Sequence, residues 1–148
     1  MASFQWVILC ERAVVEDGAK AVSLISILES IQLPKPPPAI QKSKPPYALV
    51  PLRFFVVHQW ERSNPRTGER QAGRLRFLGP HGQFAIQDFV VDLTGSRRAR
   101  IIGQSIGFPL QGPGVYQCVV EARAKSRWRK VGSTDFTVVY APESKVTH

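Results

Sequence analysis

The chain has 148 residues, 43% of them hydrophobic, and carries 20 Lys and Arg against 11 Asp and Glu, a net charge of +9. That length fits one domain, predicted over residues 1–141 with a flexible tail at 142–148, and folding at this size removes about 68–70% of the unfolded chain's surface from water. No apolar run reaches the roughly 18 residues a bilayer span needs, and residues 6–10 run straight into Glu11 and Arg12 without a cleavage site. The sequence therefore predicts no signal peptide and no membrane insertion, and a cytoplasmic protein of bacterial or viral origin.

Residues 4–15 and 21–28 are apolar and β-rich, and Asp17-Gly18 between them tolerates the positive φ of a tight turn, so the chain opens with a predicted hairpin. Leu24, Ile27, Leu28 and Ile31 also fit a helical stripe. β-branched content favours strand up to Leu28, while residues 28–33 fit either a strand or a helical end. Residues 34–47 hold Pro34, Pro36, Pro37, Pro38, Pro45 and Pro46, which cannot donate to a sheet ladder. They read as a rigid crossover between sheets, with a polyproline II ligand for an SH3-like partner as the alternative.

Residues 49–60 are apolar almost throughout, which predicts a central strand, and 61–73 read as a long polar loop. A strand over 74–78, a turn at 79–82 and a strand over 84–93 imply a second hairpin. Residues 94–100 read as a basic loop ahead of a strand over 101–108. A Pro/Gly turn at 109–114 leads into a strand over 115–122, and a last hairpin returns through 126–133 to 135–140. About eight strands at this spacing predict an all-β fold: an antiparallel β-sandwich, immunoglobulin-like or of a related Greek-key topology.

Cys10 and Cys118 lie in separate apolar runs, outside any Cys-x-x-Cys or Cys/His cluster, and read as buried reduced thiols, with a Cys10–Cys118 disulfide as the alternative if their strands are neighbours in an oxidising compartment. His58, His81 and His148 lack metal-ligand spacing; His58 reads as sitting at a strand end. Gly103-Gln-Ser105-Ile-Gly107 matches the G-x-S-x-G pattern, with Asp135 and His148 following in triad order. A nucleophile elbow, however, needs a helix after the turn, and Phe108-Pro109 with Gly112-Pro113-Gly114 cannot supply it. Asp88 and Asp92 share one strand face and read as solvated acids beside arginines rather than a catalytic pair. No enzyme, metal or cofactor is expected.

The order of an apolar first strand with Leu9-Cys10-Glu11, a turn with Gly18 and Lys20, a Ser23-Leu24-Ile25 strand, a proline-bearing connector and a late Pro113-Gly114-Val115-Tyr116 strand resembles a family of small, uncharacterised, mostly bacterial β-sandwich proteins known only as a domain of unknown function. The resemblance implies the fold and brings no catalytic residues. The chain differs from that pattern in its basic charge and its Arg-rich stretch over 62–76. Gly114-x-Tyr116-x-Cys118 also looks like the tyrosine corner of immunoglobulin-like domains, although Trp60 is spaced too far from Cys10 for membership. Tyr116 is expected to fill the core edge while its hydroxyl bonds nearby backbone.

The charge is uneven. Residues 1–50 hold five Lys and Arg against four Asp and Glu, and residues 51–148 hold fifteen against seven. Two clusters stand out at turns: Arg97, Arg98 and Arg100, and Arg123, Lys125, Arg127, Trp128, Arg129 and Lys130. These predict a binding or assembly module that contacts an anionic partner, either an acidic protein surface or nucleic acid. The interleaved Trp128 supports the nucleic-acid alternative, because arginines grip phosphates while an indole stacks a base.

Overall fold

A computed structural model describes residues 1–15, 21–38 and 48–142. Its elements are eleven strands: β1 Ser3–Val15, β2 Val22–Ile27, β3 Ser30–Leu33, β4 Ala48–Val50, β5 Phe54–Glu61, β6 Arg70–Gly79, β7 Gly82–Asp92, β8 Arg98–Ser105, β9 Phe108–Leu110, β10 Gly114–Ala124 and β11 Arg127–Tyr140. They form a four-stranded sheet in the order β2-β1-β5-β8, a five-stranded sheet in the order β3-β11-β10-β6-β7, and a small β4-β9 pair. Every pairing is antiparallel except β3 on β11. The expected all-β, antiparallel class is observed.

The two large sheets share one core. Leu9, Phe54, Val56 and Trp60 of the first pack with Leu75, Tyr116, Cys118, Val120, Phe136 and Val138 of the second. Tyr116 stacks on Phe136 at 5.4 Å and 13°, and meets Phe108 edge-on at 5.3 Å. Its hydroxyl accepts from Gln111 N at 2.7 Å and donates to the Gly112 carbonyl at 2.9 Å, the corner its spacing predicted. Cys10 and Cys118 are buried free thiols on different sheets, and burial pushes the Cys118 thiol up to about 12 and the Cys10 thiol in the same direction.

Several boundaries differ from the sequence reading. Three more strands, β3, β4 and β9, arise where the chain bends or changes sheets, and β9 begins the stretch expected as a turn over 109–114. Within 28–33 the strand alternative holds for 30–33: β2 lies in the first sheet, the chain bends at the buried Leu28 and at Glu29, and β3 continues in the second. The single strand expected over 49–60 is broken at Pro51, around which Leu52 N donates to the Val50 carbonyl at 2.8 Å, a three-residue turn that ends β4 before β5 begins. The polar loop is shorter than 61–73 because β6 starts at Arg70, and the basic loop over 94–100 ends at Arg97 because Arg98 already pairs with Glu61 of β5. The Asp17-Gly18 turn lies outside the described residues, yet Val15 pairs with Val22 on either side of it. Residues 39–47 and the tail from 143 also lie outside them.

Gly73 shows why one strand position must be glycine. A Cβ there would stand 2.3 Å from Cζ of Phe89, whose ring is wedged against His58 at 4.6 Å and Trp60 at 5.9 Å. His58 itself is not at a strand end. It occupies the middle of β5 with 1% of its surface exposed, and its Nδ1 accepts from Trp60 Nε1 at 2.8 Å.

Candidate functional site: a basic end of the two sheets

The antiparallel registers bring one set of strand ends together. β5, β7 and β10 finish where β6, β8 and β11 begin, and β1 starts beside them with Ser3 opposite Glu61. Backbone bonds extend each sheet's own ladder there, Arg62 N to Arg97 O at 2.9 Å in the first and Leu93 N to Glu69 O at 2.8 Å in the second. The Arg62 guanidinium joins the two sheets through bonds to the carbonyls of Leu93 at 2.7 Å and Thr94 at 2.8 Å. Arg62 is thus a structural clamp.

Residues 59–72, 90–100 and 122–129 make up this end. They contain ten Lys and Arg (62, 66, 70, 97, 98, 100, 123, 125, 127 and 129) against the three acids Glu61, Glu69 and Asp92. The described segments at the other end, 10–15, 30–38, 51–54, 77–84, 103–116 and 138–142, hold three Lys and Arg (Arg12, Lys35 and Arg53) against Glu11. The charge asymmetry of the sequence is therefore an asymmetry between two ends of the fold.

Not all of these cations are equally available. Glu61 accepts from Arg97 Nε at 2.6 Å and lies 3.4 Å from Arg98 Nε, while Arg100 Nε donates to Gln59 Oε1 at 3.1 Å. The first predicted cluster is thus largely occupied by its own sheet. Around the β10–β11 turn the situation is different. Among the described residues, no acid stands within 4.0 Å of the charged atoms of Arg123, Lys125, Arg127, Arg129 or Lys130, and all five residues are exposed.

Four of the cations at this end, Arg70, Arg123, Lys125 and Arg129, line a concavity of about 630 Å³. Its floor is fixed by Gln71, which is 5% exposed. The Gln71 side chain donates to the carbonyls of Arg123 and Ala72, both at 2.9 Å, and accepts from Ala2 N at 3.1 Å. Arg70 was not among the residues singled out from the sequence. It lies 53 positions from Arg123 and 55 from Lys125 in the chain and comes beside them only through the β6–β10 register, which no local pattern reveals. Arg70 also lies 3.4 Å from Asp92, an exposed contact of small energetic weight.

On the outer face of the five-stranded sheet, Ala72 of β6 is opposite Val90 of β7 and lies just past the Gly73–Ala122 pair of β6 and β10, and Arg123 is opposite Trp128 of β11. Because alanine is the small member of this row, a depression of about 280 Å³ remains over it, walled by Val90, Asp88, Arg123 and Trp128 and adjoining the basic concavity. The guanidinium of Arg74 lies 4.3 Å from the Trp128 ring centre. Arg74 is held in turn by Glu121, with Nε to Oε2 at 2.5 Å, and Arg76 Nη1 binds the other oxygen at 3.0 Å. Burial pushes the Glu121 carboxyl up, but the hydrogen bonds and charges of Arg74 and Arg76 outweigh it and hold the group below its ordinary value. The indole is thereby oriented through a chain of Glu121, Arg74 and Trp128, a role for Arg74 that sequence spacing did not suggest.

Lys125 takes a φ of +57° at the turn, a conformation costing roughly 1–2 kcal/mol for a residue with a Cβ. The two-residue turn between Ala124 and Arg127 needs a positive φ at its first central position, and Lys125 supplies it without being glycine. Lys125→Gly is expected to raise the melting temperature by about 2–4 °C, from a gain near 1 kcal/mol, while weakening polyanion binding. A lowered melting temperature in a thermal scan would refute the strain argument.

The G-x-S-x-G segment lies at the other end. Ser105 closes β8, its hydroxyl donates to the Gly107 carbonyl at 2.9 Å, and strand β9 follows where an elbow would need a helix. Asp135 is on β11 of the opposite sheet, and His148 lies outside the described residues. Among the described residues no three His, Cys, Asp or Glu side chains converge as metal ligands, and no helix is long and apolar enough to cross a membrane.

Fold and site together define an all-β, two-sheet protein with its cations gathered at one end. No family model and no curated protein matches the chain. Among solved structures, it is similar to Pseudomonas fluorescens alkylpurine DNA glycosylase AlkC bound to DNA containing an abasic site analog, with 13% identity, a TM-score of 0.46, and coverage of 74% of this chain and 27% of that one. It is also similar to the PmoD soluble domain from Methylocystis sp. ATCC 49242 (Rockwell), with 10% identity, a TM-score of 0.37, and coverage of 94% and 98%. The chain thus spans 27% of the glycosylase chain, and neither similarity is close enough to bear on what this protein does.

Proposed function

We propose that this chain is a non-enzymatic, cytoplasmic binding module that docks an anionic partner on its basic end. One observation carries the reading: the fold collects cations from separate stretches of chain into a concavity and leaves those around the β10–β11 turn without acidic partners among the described residues. Solubility alone requires charge spread over a surface, whereas clustering at one end raises local potential and steers anions.

Inorganic polyphosphate tests the charge requirement without bases or side chains to complicate it. Calorimetric titration at 50 mM salt should show binding that weakens steeply at 300 mM, as expected when counterions are released. The combined Arg123→Ala, Lys125→Ala and Arg129→Ala variant should lose most of the affinity, and Arg53→Ala, at the far end, should lose none. Absence of binding at low salt, or equal losses for the two variants, would overturn the proposal.

A further inference from the structure

Resting on that reading, we infer that the partner is a single-stranded nucleic acid, its phosphates held by Arg70, Arg123, Lys125 and Arg129 and one unstacked base seated over Ala72 against Trp128. Cations alone do not choose between an acidic protein and a nucleic acid. The juxtaposition does. The concavity with four cations adjoins, through Ala72 and Arg123, a depression that is mainly apolar and aromatic and balances its one cation with Asp88.

That depression holds about 280 Å³ and is walled by an indole, a valine, the exposed carboxylate of Asp88 and, on the side of the basic concavity, Arg123. A phosphate there would have Arg123 as its one cation and would meet the Asp88 carboxylate and two apolar side chains. A planar base would instead find apolar surface, an aromatic wall and, in Asp88, an acceptor for an exocyclic amino group. Single-strand binders combine a cationic track with stacking aromatics in this way, each stacked base contributing a sequence-tolerant increment. A duplex keeps its bases stacked inside and could offer only phosphates. An acidic peptide would fill the cationic concavity and leave the indole unused. Arg74, which steadies the indole from within the sheet through Glu121, acts as a positioning residue.

Anisotropy of labelled 12-mers of oligo(dC) and oligo(rC), against inorganic polyphosphate and polyglutamate in parallel, tests this on the full chain. Both oligomers should bind more tightly than a duplex of the same length and than oligo(dT), which lacks the amino group. Trp128→Ala should weaken oligo(dC) by about tenfold or more while leaving polyphosphate unchanged. Trp128→Phe, which keeps a ring, should recover most of that loss. Ala72→Leu fills the depression without touching the indole and should reproduce the loss, guarding against a mere folding defect in Trp128→Ala. Equal oligo(dC) affinity in wild type, Trp128→Ala and Ala72→Leu would overturn the inference, as would polyglutamate or duplex binding as tightly as oligo(dC). In those cases polyphosphate binding would still support the anion-docking module; loss of polyphosphate binding as well would bring down both.

Discussion

Acidification from pH 7 to pH 4 is expected to cost the folded protein about 3 kcal/mol through His58 alone. Burial lowers the His58 imidazole from 6.5 to about 4. The folded state then binds its proton less readily than the unfolded chain does. Stability from this group is complete above pH 6.5 and falls as pH drops through the window to about 4, at 1.36 kcal/mol per unit. The geometry gives the reason: His58 Nδ1 accepts from Trp60 Nε1 at 2.8 Å, so a proton on Nδ1 would set donor against donor in a buried site beside Phe89. Urea unfolding at pH 7, 5.5 and 4.2 should show the decline, and His58→Gln should flatten it above the carboxylate range. Wild-type stability unchanged between pH 7 and 4.5 would refute this. Glu121 contributes a separate loss of the same sign at lower pH, since its depressed carboxyl supports the fold only while ionised.

Tyr116→Phe should destabilise by about 2–3 kcal/mol although the ring stays in place. Both hydroxyl bonds end on backbone groups of the 111–112 turn, and Gln111 is 5% exposed. Removing the oxygen strands a buried N–H and a carbonyl together, and each unsatisfied group costs about 1–3 kcal/mol, partly relieved by local rearrangement. The melting temperature should fall by about 4–12 °C. A fall under one degree would mean that the corner is not holding the turn. Tyr116→Leu, which also gives up the stacking on Phe136 at 5.4 Å, should be worse.

These two residues show where the sequence was readable. The Tyr116 role followed from a short local spacing, because the hydroxyl reaches backbone only four and five residues away. The burial of Phe54, Val56 and Val57 followed from a continuous apolar run. His58 was misplaced to a strand end because its neighbours' apolarity fits either position. Its partner Trp60 is two residues on, along the same face of β5. Pro51 was passed over inside an apolar run, although its missing N–H ends the ladder there.

The candidate site was legible in part. The turn cations and Trp128 were visible as a motif with chemistry. Arg70, Arg74 and Ala72 were not, since their relation to that motif is a register between β6 and β10, set by packing over the whole sheet. The occupation of Arg97 and Arg98 by Glu61 was equally hidden, because it spans 36 and 37 positions.

By itself the sequence determined the strand class, the hairpins and the sign and uneven distribution of the charge, all of which depend on neighbours within a few residues. Only the tertiary structure decided that the charges meet at one end, which cations remain without acidic partners there, and that a small side chain leaves room beside the indole. Those are consequences of strand order and register, and long-range pairing is fixed by the fit of a shared core rather than by any local pattern.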